Sequence, residues 1–228
     1  MFDENWISEH LNKDPIYKTA FTHRSYLNEE KTEKESNERL EFLGDAVLSF
    51  VISSRLFNLR VADAEGELTN LRSYIVKTQS LAKAAQNLNL GKYLRMSKGE
   101  EMSGGRSNPQ LLANTFEAVL GAIFIDQGLD GAKKFVEEHL LPLFKDELKS
   151  GPPKDAKSQL QELSQTAIKQ SPQYKILGTK GPDHAKQFRV GVFVQGKQLG
   201  IGEGLSKQVA EEAAATEALK NFPQGDAS

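Results

Sequence analysis

The chain has 228 residues, 38% of them apolar and 26% charged, a net charge of −2 and no cysteine. That length suits one or two domains with a real core. The lack of cysteine excludes a disulfide framework, a thiolate nucleophile and a cysteine-based zinc site, and it suits a reducing compartment. The histidines at 10, 23, 139 and 184 lack the HxxxH spacing of a zinc hydrolase. Met1-Phe2-Asp3-Glu4 carries acids where an export signal needs bases, and no stretch approaches the roughly 20 apolar residues of a membrane span. A soluble cytoplasmic protein is the expectation.

Residues 1–147 read as mostly helical, with long periodic segments at 37–58, 67–89, 110–127 and 130–147. In the first segment Glu38, Glu41 and Asp45 stand at i, i+3 and i+7, within an arc of roughly 60° on one helix face. Leu40, Leu43, Val47, Phe50 and Val51 take the opposite side. A solvated face would interleave Lys or Arg with its acids. Arg39 points elsewhere, so a cation from outside is the natural partner, and hard divalent cations prefer carboxylate oxygen. On spacing alone, an ordinary solvated acidic face is the favoured reading. Phe42 lies beside the carboxylates, where a monomer would leave it partly exposed; packing into the core is the common role of such a residue.

Gly91 and the Gly-, Ser- and Glu-rich run from Ser97 to Pro109 break the helical pattern and read as a mobile loop. Arg106 on that loop could meet a phosphate or stand as a plain solvated arginine. A second acidic helix, Leu111 through Ile125, carries Asn114 and Glu117 as i, i+3 neighbours, with Phe116, Val119, Leu120 and Ile123 behind them. Packed antiparallel on the first, it would set Asn114 and Glu117 opposite Glu41 and Asp45.

Ser150-Gly151-Pro152-Pro153 is the clearest boundary, since no helix continues through it. It divides the chain into 1–149, a linker at 150–156, a second domain at 157–223 and a tail at 224–228. Residues 154–228 carry a net +2 and residues 1–153 a net −4, a sign asymmetry that hints at separate tasks. After the linker the order is helix (Lys154 to Gln170), a short strand around Tyr174 and Ile176, and a strand with period two at Phe188, Val190, Val192 and Val194. Gly196-Lys197 turns into a strand with Leu199 and Ile201, and an alanine-rich helix runs from about Ser206 to Asn221.

Asn37-Glu38-Arg39-Leu40-Glu41-Phe42-Leu43-Gly44-Asp45 resembles the signature motif of bacterial ribonuclease III, the double-stranded-RNA endonuclease. Thr22-His23-Arg24-Ser25, Glu65-Gly66-Glu67-Leu68-Thr69, Gly104-Gly105-Arg106 and Ala113-Asn114-Thr115-Phe116-Glu117-Ala118 resemble the same family in the same order. The resemblance reaches about Phe222. It implies a mainly α endonuclease and dimerisation domain followed by a small α+β (α-β-β-β-α) double-stranded-RNA-binding domain. Such a domain reads A-form shape across two minor grooves rather than base sequence.

The resemblance also implies a metal site at Glu41, Asp45, Asn114 and Glu117, with Asp45, Glu117 and Glu38 as the catalytic acids and Glu65 as a further acid near the cleft. Mg²⁺ is the implied cofactor, with Mn²⁺ as a substitute and no organic cofactor. Many family members carry Asp where this chain has Asn114, whose carboxamide offers one neutral oxygen and two N–H donors. The departure leaves two readings: a tolerated ligand, or a duplex-binding protein whose nuclease fold is impaired. Phe42 is implied to enter a socket on a second copy, giving a homodimer with one acidic site per RNA strand. Products would carry 5′-phosphate and 3′-hydroxyl ends with short 3′ overhangs, and ribosomal and other structured precursor RNAs are the implied substrates. Three surfaces match RNA-contacting regions: Ser158, Gln161, Glu162 and Gln165; the loop presenting His184; and Lys207 with Gln208 at a helix N-terminus. His23 reads as structural.

Overall fold

The computed structural model describes residues 2, 4–31, 35–182 and 185–222, with the backbone alone at Asn12. The chain divides into two compact units, Met1–Pro152 and Pro153–Ser228. The first is mainly helical; the second has the order α-β-β-β-α.

The first unit is organised around α7 (Pro109–His139). Asn108 caps it, its side chain accepting from the Gln110 and Leu111 N–H groups, and Pro109 occupies the first turn, where its missing N–H costs nothing. Leu112, Phe116, Val119, Leu120 and Ile123 are almost fully buried, so this helix is apolar nearly all round and serves as the core of the unit. The signature helix α3 (Glu38–Leu59) and α5 (Thr78–Asn87) pack along it. At Gly128 the backbone turns to φ 68°, a left-handed conformation that glycine enters without a Cβ clash. That turn separates the two periodic segments read from the sequence.

Several boundaries differ from the sequence reading. The segment 67–89 is two helices, α4 (Glu65–Ile75) and α5, because Lys77 is extended and the buried Ser80 hydroxyl donates to the Tyr74 carbonyl at 3.0 Å, fixing a corner. The segment 130–147 ends its α-helix at His139 and continues as a 3₁₀ turn, Leu141–Phe144, around Pro142, before the short α8 (Glu147–Ser150). The short helices α1 (Glu4–Lys13) and α2 (Pro15–Ala20), not marked out from periodicity, cover the core with Ile7, Tyr17 and Ala20.

The run 97–109 is not the structureless loop it resembles in composition. It holds α6 (Lys98–Met102), capped by Ser97, and a 3₁₀ turn, Gly105–Ser107. Arg106 organises it: Nη1 donates to the carbonyls of Gly91 at 2.9 Å and Leu94 at 2.9 Å, while Nε meets Glu101 at 2.6 Å. Those bonds replace the apolar packing that the segment lacks.

In the second unit, β1 (Gln173–Lys180), β2 (Gln187–Val194) and β3 (Lys197–Gly204) form an antiparallel sheet in that order. Gln195 (φ 50°) and Gly196 (φ 76°) make the tight β2–β3 hairpin, both in the left-handed region such turns demand. Two helices, α9 (Ala156–Ile168) and α10 (Lys207–Asn221), cover one face around Leu160, Val192 and Phe222. The alanines of α10 have a specific cause. Gly200 and Gly202 of β3 lie against the helix backbone at Ala214 and Ala210, and a Cβ at either glycine would collide with it.

Candidate active site

The site begins with a helix crossing. A Cβ on Gly44 of α3 would run into the Glu117 carbonyl of α7, and one on Gly121 of α7 would run into the Leu40 carbonyl of α3. Glycine at both positions lets the two backbones touch, so the acids flanking them, Glu41 and Asp45 on one helix and Glu117 on the other, face each other across a short gap.

The electrostatics record that proximity. Burial, then repulsion from Asp45 and Glu41, pushes the Glu117 carboxyl up to about 8. Glu41 is also raised, chiefly by burial and by the charge of Glu38, with Asp45 adding to it, while a hydrogen bond from Asn114 works the other way. Among the described residues no cationic side chain relieves Glu41 or Glu117. Nor do three acidic or histidine groups there converge closely enough to form a ready-made cation cage. The donors are hard carboxylate oxygens with no soft ligand among them, which is the chemistry a hard divalent cation takes.

Glu38 stands one turn before Glu41 and is exposed. It accepts from the Ser36 hydroxyl at 3.0 Å and lies 3.7 Å from Arg24. Arg39 pairs weakly with Glu35 at 3.9 Å, off the acidic stripe. Glu38, Glu41, Asn114 and Gln110 share one polar hollow of about 280 Å³ with His23 and Arg24. His23 sits at its edge as a cap, its ring accepting from the Ser25 N–H. Sequence reasoning missed Gln110. Its Nε2 donates to Asn114 Oδ1 at 2.7 Å, and the i, i+4 spacing of the pair was the signal available.

Glu65, at the start of α4, accepts from the Thr69 hydroxyl at 2.9 Å. It belongs to a separate hollow with Phe50, Ser53, Phe57 and Arg72 rather than to the one around Glu41. Phe50 is exposed there, contrary to its assignment to the apolar side, because it stands at the margin of that side where α4 does not cover it. Phe42 is 80% exposed, and it rims a hollow of about 760 Å³ formed with Pro15, Ile16, Leu43 and Ile125. Arg106 Nε and Nη1 donate to Glu101 and to the carbonyls of Gly91, Lys92 and Leu94, so these groups tie the loop to the segment before it.

On the second unit, Ser158, Gln161, Glu162 and Gln165 are all exposed along α9. Ser158 also donates to the Asp155 cap, and Lys154 grips Glu162 at 2.6 Å. Lys207 and Gln208 are exposed in the first turn of α10, behind the Ser206 cap. His184 lies outside the described residues.

Comparison with known proteins bears on this geometry. Residues 13–143 match the description ribonuclease-III-like, and residues 156–222 match the double-stranded RNA binding motif. Ribonuclease 3 of Bacillus velezensis is 48% identical over 214 residues, 93% of this chain and 86% of that one. Ribonuclease 3 of Lactococcus lactis subsp. lactis is 46% identical over 213 residues, 92% of this chain and 91% of its own. The solved nuclease domain of ribonuclease III from Campylobacter jejuni superposes with a TM-score of 0.56 at 38% identity, covering 62% of this chain and 95% of that domain. Its region of dimer formation is described as flexible. The chain belongs to the ribonuclease III family and is an endoribonuclease with a double-stranded RNA binding motif. No described helix is long and apolar enough to cross a membrane.

Proposed function

We propose that this protein cuts double-stranded RNA as a homodimer that uses a divalent cation, Mg²⁺ or in its place Mn²⁺, and no organic cofactor. The observation that carries the reading is the opposed acid cluster, in which burial and then repulsion from Asp45 and Glu41 push Glu117 up to about 8. Glu41, Asp45 and Glu117 would hold the cation, with Asn114 adjoining them. When bound, it supplies an activated water, charge relief on the phosphate and help for the departing 3′-oxygen. The chain's own share is placement. The α3–α7 crossing fixes the carboxylates, and Glu38 stands one turn away, where it can accept a hydrogen bond from water or from the RNA.

Support for the dimer lies beside the acids. Phe42 (80% exposed), Phe50 (54%) and Phe57 (71%) are large apolar side chains left open along α3. Two copies related by a twofold axis would place one acid cluster on each strand, giving 5′-phosphate and 3′-hydroxyl ends and short 3′ overhangs. The second unit would capture the duplex through Ser158, Gln161, Glu162 and Gln165, the loop of His184, and Lys207 with Gln208, contacts that read shape and 2′-hydroxyls. Ribosomal and other structured precursor RNAs in the cytoplasm are the substrates this implies.

The test is cleavage of an end-labelled RNA duplex with Mg²⁺, with Mn²⁺ and with EDTA, alongside Glu117→Ala and a filter-binding assay. The expected result is cation-dependent cutting that Glu117→Ala abolishes while duplex binding persists. Cutting in EDTA, or a Glu117→Ala protein within a few-fold of the parent, rejects the reading.

A further inference from the structure

We propose that His23 is a substrate-contacting residue: its Nε2–H donates to a non-bridging oxygen of the RNA phosphate that enters the hollow beside the acids. This assignment rests on the reading of those acids as the cleavage site.

Capping uses only one of the two ring nitrogens. Nδ1 accepts from the Ser25 main-chain N–H at 3.4 Å and lies 2.8 Å from the Ser25 hydroxyl. That hydroxyl accepts from the Ser97 N–H at 2.9 Å, which leaves its own proton for the ring. A main-chain N–H can only donate, so Nδ1 is the accepting nitrogen and the ring proton sits on Nε2. Turning the ring over would set carbon against both donors. Nε2–H has no hydrogen-bond partner among the described residues, so the cap leaves it unspent.

The backbone holds this ring beside the acids. The His23 N–H donates to the Arg95 carbonyl at 2.9 Å, and the Thr22 carbonyl accepts from the Asn37 N–H at 2.8 Å. Asn37 opens α3, and its carbonyl accepts from the Glu41 N–H at 2.8 Å. One short run of main chain thus ties His23 to the helix start that carries Glu38 and Glu41. All three line the hollow of about 280 Å³ with Asn114, and Arg24 is its only Lys or Arg among the described residues. Arg24 is 74% exposed and turned to Glu38. A hollow walled by acids needs donors to admit a phosphate, whose oxygens only accept. His23 supplies one that is in place before the RNA arrives.

The experiment separates the two nitrogens. In His23→Asn the side-chain oxygen can still cap the Ser25 N–H, but no donor stands where Nε2 was. In His23→Gln an amide N–H reaches about as far as Nε2, while the cap is lost. Both full-length variants are compared with the parent and with Glu117→Ala. The readouts are melting temperature, duplex affinity in EDTA, Mn²⁺ affinity without RNA, and single-turnover cleavage with Mg²⁺. His23→Asn should melt with the parent and bind duplex and Mn²⁺ within about threefold, yet cut about 100-fold more slowly, the usual loss of one preorganised donor. His23→Gln should melt lower for want of the cap and still cut at least about tenfold faster than His23→Asn. His23→Asn within a few-fold of the parent, or His23→Gln no faster than His23→Asn, overturns the contact. So does a loss of Mn²⁺ affinity in His23→Asn as large as its loss of cleavage, since the ring would then act through the acids. Long-range ¹H–¹⁵N spectra of the parent read the tautomer without any variant, and a proton on Nδ1 also overturns it. If Glu117→Ala is inactive while His23→Asn cuts like the parent, only the role of His23 falls. If Glu117→Ala still cuts, the cleavage-site reading is wrong and the role of His23 goes with it.

Discussion

Glu117→Gln should stabilise the cation-free protein, and do so only at higher pH. Glu117 is pushed from an ordinary 4.5 up to about 8, first by burial and then by Asp45 and Glu41. The folded state therefore holds a proton that the unfolded chain releases. The stability linked to that proton is fully present below 4.5 and is lost as pH rises through about 8. At about 1.4 kcal/mol per pKa unit the full loss approaches 5 kcal/mol. Glu117 is itself only partly buried, so solvent screening reduces the figure to about 2 kcal/mol. A glutamine of the same size never ionises. The substitution should leave melting unchanged at about pH 5 and raise it by about 4–8 °C at about pH 9, for a unit of this size. The assay is thermal unfolding of the nuclease unit by circular dichroism in EDTA, at fixed protein concentration. Saturating Mg²⁺ should then close most of the gap by stabilising the parent. A gain equal at both pH values, or none at about pH 9, refutes the reasoning that ionised Glu117 is resisted by its neighbours.

Phe42→Ala should leave the monomer's stability within about 0.5 kcal/mol, since the ring is 80% exposed, while weakening self-association about 100-fold or more; sedimentation across a concentration series reads both. Gly44→Ala should cost about 3 kcal/mol or more and lower activity with it, because a Cβ there meets the Glu117 carbonyl and forces the two acidic helices apart; denaturant unfolding measures the cost, and a near-neutral variant would contradict the close crossing. Residues 1–152 alone should fold and cut duplex RNA in low salt but poorly at about 150 mM, because binding to RNA phosphates weakens steeply with ionic strength and this form lacks the capturing surfaces of the second unit; equal activity of both forms at that salt would show that the second unit does not capture the RNA.

Residue order and spacing settle the class of fold and set Glu38, Glu41 and Asp45 on one helix face. Strict spacing did this work: a two-residue alternation marks β2, a 3.6-residue period marks α3 and α7, and glycine with paired prolines marks the domain boundary. These signals are local and need no knowledge of the partner element. How side chains are used once elements meet depends on the packing between them. Arg106 has a polar, glycine-rich neighbourhood in sequence, yet it holds a loop together through carbonyls 12 to 15 residues away. Phe50 stands near the apolar side of its helix, yet it is half exposed. Gln110 carries no distinguishing signal in sequence, yet its amide donates to Asn114 Oδ1. Glycine 44 reads in sequence as one letter of a motif, and only the crossing with α7 shows that its missing side chain sets the gap between the acids. Periodicity follows from the geometry of one chain segment, whereas hydrogen-bond partners and desolvation depend on distances between segments far apart in sequence, which no local pattern encodes.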